Sequence, residues 1–454
     1  MAVAPSLKRD ATSAIPSLSG LPIVGNAFEF RKDLPHLLLR AFREHGDVVR
    51  LHNGRHEAIF VNSPEDVHKI LVERTDVVEK RTVGDSARAF VMGDGLLNSD
   101  GEFHQRQRKL CAPAFQPRNI AAYAGAMTHY SRQVEEEWGD GEAVDLSEQM
   151  HRITMGIAGK ALFGADLLDE ADEIRRALFV IRHYISRRSR NTMRQRLSRN
   201  QPRSDDQDFK RAKERLDATI YRLINEREEA GAAQRDLLSM LLRSRDEDGS
   251  GMSAKLLRDE AINLFWAGHE TSASSLTWTW FLLARNPQVY DRMQAELRDV
   301  LGSRLPEVTD IPALAFTQRV FKEALRIYPP IFAFGRQVYQ PFELRGYTLP
   351  AGTSLLISPY TLHRRTDVFP DPERFDPDRF EGEAEHVFRL SYLPFGSGQR
   401  VCLGAHFATM EGTIVLATLG QRVRFELEPG QNIVPERVLT QQNEEKVMAR
   451  VLRR

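Results

Sequence analysis

The chain has 454 residues, of which 41% are hydrophobic, so it is long enough to bury a large core. Its 63 basic residues balance its 63 acidic residues, and a formal net charge of zero argues against nucleic acid as the main partner. The two cysteines, Cys111 and Cys402, cannot form a disulfide framework and fit a reducing compartment, which we take to be the cytoplasm.

The first 26 residues are predicted to be an irregular lead. Lys8, Arg9 and Asp10 interrupt it before the apolar core of a signal peptide can form, and prolines and glycines follow. The chain contains no stretch of about 18 apolar residues, so we expect no transmembrane helix. Because neither a composition break nor a repeat divides the rest, residues 27–454 are predicted to form one domain.

Short strands and a capped helix open this domain. Residues 47–51 and 57–61 are predicted to be two short strands, and Ser63 is a typical helix N-cap. A loop-like stretch follows over residues 78–102, and helical periodicity then dominates residues 103–286.

The first long helical segment places His104 and Arg108 four residues apart, on one face of the helix. A guanidinium group suits bidentate binding of a carboxylate. Taken alone, however, an arginine of this kind is usually a surface residue.

Seven arginines crowd one short segment: Arg187, Arg188, Arg190, Arg194, Arg196, Arg199 and Arg203. One interpretation is a solvated loop between two helices. The alternative is peripheral contact with an anionic surface, such as a lipid membrane, or with an anionic substrate.

An apolar run over residues 261–283 contains the sequence Ala-Gly-His-Glu-Thr. A glycine within a helix, here Gly268, costs ~1 kcal/mol relative to alanine, and a hydroxyl such as that of Thr271 can bond back to the i−4 carbonyl. We therefore expect an opened turn with room for a small ligand. Asn263 and Ala267 lie on the face of Thr271.

The helix before Tyr328 carries Glu323 and Arg326 at i, i+3 among apolar residues, so the pair is predicted to be buried. Beyond that helix the chain breaks into short predicted strands at residues 335–338, 342–344, 347–349 and 354–357.

A glycine-rich loop over residues 395–404 surrounds the second cysteine. Glycine permits positive φ and close backbone approach, so backbone N–H groups can point at the sulfur of Cys402. Arg400 and the helix N-terminus expected after Gly404 would both favour a thiolate.

This loop resembles the haem-binding loop of the cytochrome P450 superfamily, Phe-x-x-Gly-x-Arg-x-Cys-x-Gly. Every fixed position is matched, by Phe395, Gly398, Arg400, Cys402 and Gly404. The three motifs described above come in the family's order, so the resemblance covers essentially the whole chain. It implies a bacterial-type, soluble protein that is mainly α with a small β-rich region, a triangular helical prism around a buried haem.

The resemblance implies that Cys402 is the iron ligand of haem b. It also implies that Thr271 supports proton delivery during oxygen activation, with Glu270 as its acidic partner and Ala267 beside the oxygen site. His269 occupies the motif's variable position, where we expect a packed or solvated side chain instead of a ligand.

The same resemblance implies that His104 with Arg108, and further along Arg336 and Arg400, bind the haem propionates. Glu323 and Arg326 would form a structural trio with a second arginine. The spacing to the cysteine loop favours Arg379 for that position, with Arg374 as the runner-up.

The positions that line the substrate pocket in the family are apolar here, apart from Asn263 and Thr440. They are Phe90, Val91, Leu97, Asn263, Ala267, Ile331, Phe332, Ala333, Phe334, Leu439 and Thr440. This favours a lipophilic substrate: a fatty acid, a terpenoid or carotenoid, a steroid or a polyketide. Fatty acids and carotenoids lead by overall likeness.

The expected function is a monooxygenase that hydroxylates or epoxidises such a molecule with O2 and NAD(P)H-derived electrons. We expect a monomer without a flavin or iron–sulfur domain of its own, served by a ferredoxin or flavodoxin and its reductase. Arg106, Lys109 and Arg118 are predicted to form the basic patch that receives this donor. The alternative is a haem-thiolate peroxygenase, an isomerase or a ligand-binding haem protein; the intact Glu270–Thr271 pair favours the monooxygenase.

Overall fold

The computed structural model describes residues 12, 14–54, 56–80, 91–190, 204–229, 236–246, 249–382, 388–431, 433, 436–437, 441–442 and 446–454. The chain divides into two compact units, each built from separate segments. The first consists of Met1–Arg81, Ile331–Arg374 and Gly382–Cys402, and the second of Thr82–Pro330, Phe375–Glu381 and Leu403–Arg454. A single domain over residues 27–454 stays a prediction.

Among the described residues, the first unit contains four short helices and all of the predicted strands. Its helices are α1 (Ala27–Lys32), α2 (Leu34–His45), α3 (Pro64–His68) and, later in the chain, α14 (Pro359–Leu362). Its strands are β1 (Val48–Asn53), β2 (His56–Val61), β3 (Val78–Glu79), β5 (Phe334–Val338), β6 (Phe342–Leu344), β7 (Tyr347–Leu349) and β8 (Ser354–Ile357).

Five of these strands form a sheet in the order β1-β2-β8-β5-β3. Strands β2 and β8 are parallel, and the other neighbours are antiparallel. Alternate side chains such as Val61, Val338 and Ile357 are fully buried in the core beneath the sheet. Ser63 caps α3 as predicted, since its hydroxyl accepts the N–H of Asp66.

The second unit is mainly helical. Its helices are α4 (Gly101–Cys111), α5 (Pro117–Ile120), α6 (Ala124–Glu135), α7 (Leu146–Ala158), α8 (Ala171–Arg190), α9 (Ser204–Glu229), α10 (Leu237–Arg243), α11 (Ala254–Arg285), α12 (Pro287–Leu301), α13 (Ala315–Ile327) and α15 (Ala405–Gly420). Its strands are β4 (Ala143–Asp145), β9 (Val423–Leu427), β10 (Glu436–Arg437), β11 (Gln441–Gln442) and β12 (Met448–Arg453).

The long helix α11 lies at the centre of this unit. It packs against α7, α13 and α15, and α15 in turn packs against α6. Ser253 caps its first turn by accepting the N–H of Leu256, and Asn286, just before Pro287, ends it. The helix runs through Gly268 as continuous α-helix, where the sequence predicted an opened turn.

Within the described residues, no helix combines the length and hydropathy needed to cross a membrane. The arginine-rich segment predicted to be a loop or an anionic contact starts at the end of α8. The side chains from Arg187 to Arg203 lie outside the described residues.

Candidate active site

The cysteine loop of the first unit folds as its glycines predict. Gly396 and Gly398 have φ of 71° and 70°, values that an L side chain rarely adopts. The N–H of Cys402 donates to the carbonyl of Phe395 at 2.9 Å and closes the loop. Cys402 itself is exposed, so its sulfur is accessible to a ligand.

Gly398 also permits a close approach to the turn that follows α3. A Cβ at Gly398 would lie 1.8 Å from the carbonyl oxygen of Leu71, so no other residue fits without a backbone shift. The side chain of Gln399 donates to the hydroxyl of Thr75 at 3.0 Å and ties the loop to the same segment. The loop is therefore anchored on its own unit and presents the cysteine outward.

The other cysteine cannot play this role. Cys111 is fully buried in α4. Burial, with a smaller contribution from the negative charge of Glu260, raises the pKa of its thiol well above the usual range. A thiolate is the metal-binding form, so Cys402 is the cysteine that fits an iron ligand.

In the second unit, one strip of α11 is left open. Between Leu257 and Leu283, a stretch that the structure describes in full, the residues that are not buried are Leu264, Ala267, Gly268 and Thr271. Their spacing of i, i+3, i+4 and i+7 puts them on one face. A Cβ placed on Gly268 would meet no described atom within 4 Å, so this strip borders open space.

The strip differs by one residue from the face that the sequence predicted. Ala267 and Thr271 belong to it, but Asn263 is buried and Leu264 takes the open position. The side chain of Asn263 is engaged by backbone groups of residues 92 and 97. Leu264 was missed because periodicity alone does not show which neighbour packs against which face.

The predicted catalytic pair is held by local contacts. The hydroxyl of Thr271 donates to the carbonyl of Ala267 at 2.5 Å, the back-bond expected from the sequence. The indole N–H of Trp266 donates to Oε2 of Glu270, and Nε of Arg182 lies 3.8 Å from Oε1. Glu270 is thus nearly buried between a hydrogen-bond donor and a cation, and Arg182 had no signal in the sequence.

His269 is packed, as the sequence analysis expected. Its ring lies 4.9 Å from that of His151 in α7. Burial lowers the pKa of His269 to about 4, so the imidazole is neutral at physiological pH.

Glu323 of α13 accepts hydrogen bonds from three described residues of the second unit. Glu323 and Arg326 are both fully buried and form two hydrogen bonds, of 2.7 and 2.8 Å. The backbone N–H of Asp376 donates to Glu323 at 3.0 Å, and Nε of Arg379 donates to it at 3.3 Å. Arg374, the runner-up, is exposed.

The residues predicted to bind carboxylates occur in both units. In the second unit, His104 is buried and Arg108 is half-buried on α4. In the first unit, Arg336 lies on β5 with its guanidinium 4.8 Å from the centre of the Phe334 ring. Arg400 is half-buried in the cysteine loop.

The predicted pocket residues divide between open and buried positions. Leu97 and Ala267 in the second unit, and Ile331, Ala333 and Phe334 in the first, are partly exposed. Val91 and Phe332 are buried like Asn263, and the assignment of all three to the substrate pocket stays a prediction. Phe90, Leu439 and Thr440 lie outside the described residues.

The predicted basic patch forms around a cleft of about 570 Å3 between α4 and α10. Four cationic side chains line it, those of Lys109, Arg118, Arg243 and Arg245, together with the carboxylate of Asp246. Arg106 is not in the lining, because it forms an ion pair with Asp246 and donates to Ser250 at 3.0 Å. We call this surface the basic cleft.

A protein-family model described as Cytochrome P450 matches residues 15–448. The chain is 38% identical over 420 residues to the Cyclooctatin synthase of Streptomyces melanosporofaciens, over 92% of this chain and 91% of that protein. It is 35% identical over 417 residues to the Cyclooctat-9-en-7-ol 5-monooxygenase of the same organism, which corresponds to 91% of this chain and 90% of that protein. It is 30% identical over 422 residues to the Pentalenene oxygenase of Streptomyces avermitilis, which corresponds to 92% of this chain and 93% of that protein.

Two solved structures share the fold at 24% sequence identity. The heme domain of cytochrome P450DA has a TM-score of 0.88 and covers 97% of this chain and 98% of its own. The retinoic acid bound cyanobacterial CYP120A1 has a TM-score of 0.85, with coverage of 97% and 99%.

Proposed function

The chain belongs to the cytochrome P450 family and is a monooxygenase with a haem-iron cofactor, and on that basis we propose that it oxidises a terpenoid. Two of its relatives are named for acting on cyclooctat-9-en-7-ol and pentalenene, which by their names are an unsaturated alcohol and an alkene. The open strip of α11 carries the proposal, because Leu264, Ala267 and Gly268 offer an apolar surface to such a molecule.

Haem fits the residues of the first unit. Cys402 is exposed on a loop whose glycines allow a flat group to approach, and we propose it as the thiolate ligand. A thiolate-ligated haem, when bound, supplies the O–O bond cleavage that inserts one oxygen atom into the substrate. Arg336 and Arg400 of this unit would bind propionates, and the same role for His104 and Arg108 stays a prediction from the sequence.

The chain's own contribution to the reaction is proton supply and substrate placement. Thr271 carries the hydroxyl of the open strip, and its bond to the Ala267 carbonyl fixes where that hydroxyl lies. Glu270 is the proton-holding group beside it. Its carboxyl group is held in place by the indole N–H of Trp266 and by the nearby guanidinium of Arg182.

Electrons would come from a separate acidic protein that docks at the basic cleft. Among the described lining residues, four are cationic and one, Asp246, is a carboxylate, which Arg106 pairs. A surface of this charge attracts an anionic partner over several ångströms. A ferredoxin or a flavodoxin has the required charge and redox group.

The experiment is a ligand-induced spin-shift titration of the ferric protein with cyclic terpenes and with fatty acids of similar size. We expect saturable shifts with the terpenes at lower concentration. Gly268→Ala should weaken them several-fold, because the added methyl enters the open strip. Gly125→Ala is the matched control: Gly125 is also helical, and a Cβ there meets no described atom within 4 Å, but it lies on an exposed face of α6.

Both variants should gain stability, since alanine is favoured over glycine in a helix by ~1 kcal/mol. Equal terpene affinities in Gly268→Ala, Gly125→Ala and the unmodified protein would show that the strip does not contact the substrate. Tighter shifts with fatty acids than with terpenes would overturn the substrate class.

A further inference from the structure

The N-terminal half of α11 binds the backbone of a preceding segment, residues 91–97, through side chains. Oε2 of Glu260 accepts the N–H of Leu96 at 3.0 Å, and Oδ1 of Asn263 accepts the N–H of Leu97 at 3.1 Å. The amide nitrogen of Asn263 donates in turn to the carbonyl of Met92 at 2.7 Å. Two adjacent backbone N–H groups therefore depend on two side chains of one helix.

We call the bonds from Glu260 and Asn263 to the backbone of residues 92, 96 and 97 the clamp. Other residues of the same helix add further bonds to it. Asp259 accepts the N–H of Asp94 at 3.0 Å, and Arg258 donates to the carbonyl of Val91 at 2.7 Å. Lys255 bonds the side chain of Asp94 at 2.6 Å, but this last pair is largely exposed. The buried contacts hold the segment, because exposed ion pairs contribute little.

The segment is shaped for close approach to α11. A Cβ at Gly93 would lie 2.2 Å from the carboxylate of Asp259, and Gly93 has a φ of 59°. A Cβ at Gly95 would lie 2.5 Å from the amide nitrogen of Asn263. A side chain at either position would push the segment away from the helix.

The clamp also contains an uncompensated polar group. Oε1 of Glu260 is buried and has no hydrogen-bond partner among the described residues. Burial, opposed by the bond from Leu96 and increased by the charge of Asp259, raises the pKa of Glu260 to about 7. Retaining a carboxyl group there costs stability, and a neutral amide would accept the same N–H without an ionisable group.

The clamp lies directly beside the open strip. Asn263 is adjacent to Leu264 and one turn before Ala267, so the Leu97 backbone that it binds lies next to the strip's first turn. The side chain of Leu97 is partly exposed, whereas Leu96 is buried. Leu97 is thus placed to form a wall of the space that Leu264 and Ala267 border.

We propose that Glu260 and Asn263 are positioning residues that fix Leu97 as a specificity-determining wall for the substrate. The proposal rests on the proposed function, in which the strip contacts the substrate. Neither side chain needs to touch the substrate, because both act through the backbone of residues 96 and 97. Loosening the clamp should widen the site without changing the haem ligand.

The test compares Asn263→Ala and Glu260→Ala with two controls in the haem-loaded protein. Glu260→Gln keeps an acceptor for Leu96. Lys255→Met removes the bonds of Lys255 to Asp94 and Asp259 but leaves those of Glu260 and Asn263 in place. The probes are imidazole, which needs only the iron, and 4-phenylimidazole, whose phenyl ring also needs the wall. Hydrogen exchange of peptides that cover residues 91–99 reports the clamp directly.

We expect faster exchange and roughly tenfold weaker 4-phenylimidazole binding in both alanine variants, the loss typical of a buried hydrogen bond. Imidazole affinity should be unchanged, and both controls should resemble the unmodified protein. Faster exchange with unchanged 4-phenylimidazole affinity would overturn the proposal, because the clamp would then be structural only. If the alanine variants do not fold, Leu97→Ala tests the same wall, and unmodified affinity for 4-phenylimidazole there would overturn it too.

These outcomes are distinct from a failure of the proposed function. If the unmodified protein bound no haem, neither imidazole would titrate in any variant. That result would reject the haem site, whereas the exchange measurement would still report on the clamp.

Discussion

The environment of Glu323 distinguishes the two arginines that compete for it in the sequence. Nε of Arg379 lies 3.3 Å from the buried carboxylate, while Arg374 is exposed. Arg379→Ala should therefore lower haem-loaded yield and stability markedly, and Glu323→Ala still more, since Arg326 would be left as an unpaired buried charge. Breaking such a pair costs about 3–5 kcal/mol.

Arg374→Ala is the matched control and should cost less than about 0.5 kcal/mol, as surface changes usually do. Free energies of unfolding in urea, with the haem content of purified protein, measure all three variants. A larger loss for Arg374→Ala than for Arg379→Ala would mean that the spacing argument chose the wrong arginine.

The contact between α15 and α11 contains a buried acid with a single hydroxyl partner among the described residues. The hydroxyl of Ser272 donates to Glu411, which is 2% exposed. Burial raises the pKa of Glu411 to about 8, although the bond from Ser272 opposes the shift. Glu411 is therefore a neutral acid at pH 7 in the folded protein.

This raised pKa predicts a loss of stability with rising pH. Below about pH 4.5, the ordinary pKa of a glutamate side chain in an unfolded chain, both states are protonated. Between there and about pH 8 the unfolded chain is ionised while the folded chain keeps its proton, so unfolding releases a proton and becomes easier. Each pKa unit is worth about 1.4 kcal/mol, so the loss across this window should reach a few kcal/mol.

Glu411→Gln should remove this part of the slope, because the amide keeps a hydrogen bond but does not ionise. Unfolding in urea at pH 5 and pH 8 gives the comparison, and Glu73→Gln, at an exposed side chain, is the control that should leave the slope alone. An unchanged slope in Glu411→Gln would mean that Glu411 is ionised in the folded protein.

At the level of elements, the sequence predicted what local patterns determine. The strands near residues 48–53, 56–61 and 334–357 and the cap at Ser63 follow from residue types within a few positions of one another. The prediction of an opened turn at Gly268 was wrong, because the bond from the Thr271 hydroxyl to the Ala267 carbonyl fits within a continuous helix. The burial of Asn263 depends on a segment about 170 residues earlier, which periodicity does not report.

At the scale of the whole molecule, charge on the second unit predicts how the electron donor associates. Arg118→Glu with Arg243→Glu would reverse two charges that line the basic cleft. Reduction by an acidic ferredoxin should slow by an order of magnitude or more at low salt, and its salt dependence should flatten. Stopped-flow reduction under carbon monoxide gives the rates.

Arg211→Glu with Arg215→Glu makes the same charge change on exposed positions of α9 and is the control. Reduction by dithionite should be unaffected in both pairs. An equal slowing in both pairs would indicate a general charge effect, and no slowing in either would place the donor elsewhere.

The sequence could not have predicted the full lining of this cleft. The pairing of Arg106 with Asp246 joins residues 140 positions apart, and it removes from the patch one of the residues that the sequence had placed there. Arg243 and Arg245 enter because α10 packs beside the turn after α4. The shape of the cysteine loop, by contrast, was predictable from its glycines, because Gly396 and Gly398 adopt the positive φ that glycine permits.

The central claim is that Cys402 is the thiolate ligand of a haem in a monooxygenase. The most direct measurement is the absorption spectrum of the reduced protein with carbon monoxide, recorded for the unmodified chain, Cys402→Ser and Cys111→Ser. We predict the strongly red-shifted Soret band of thiolate-ligated haem in the unmodified protein and in Cys111→Ser, and its loss in Cys402→Ser. Retention of that band in Cys402→Ser, or its loss in Cys111→Ser with haem still bound, would contradict the account.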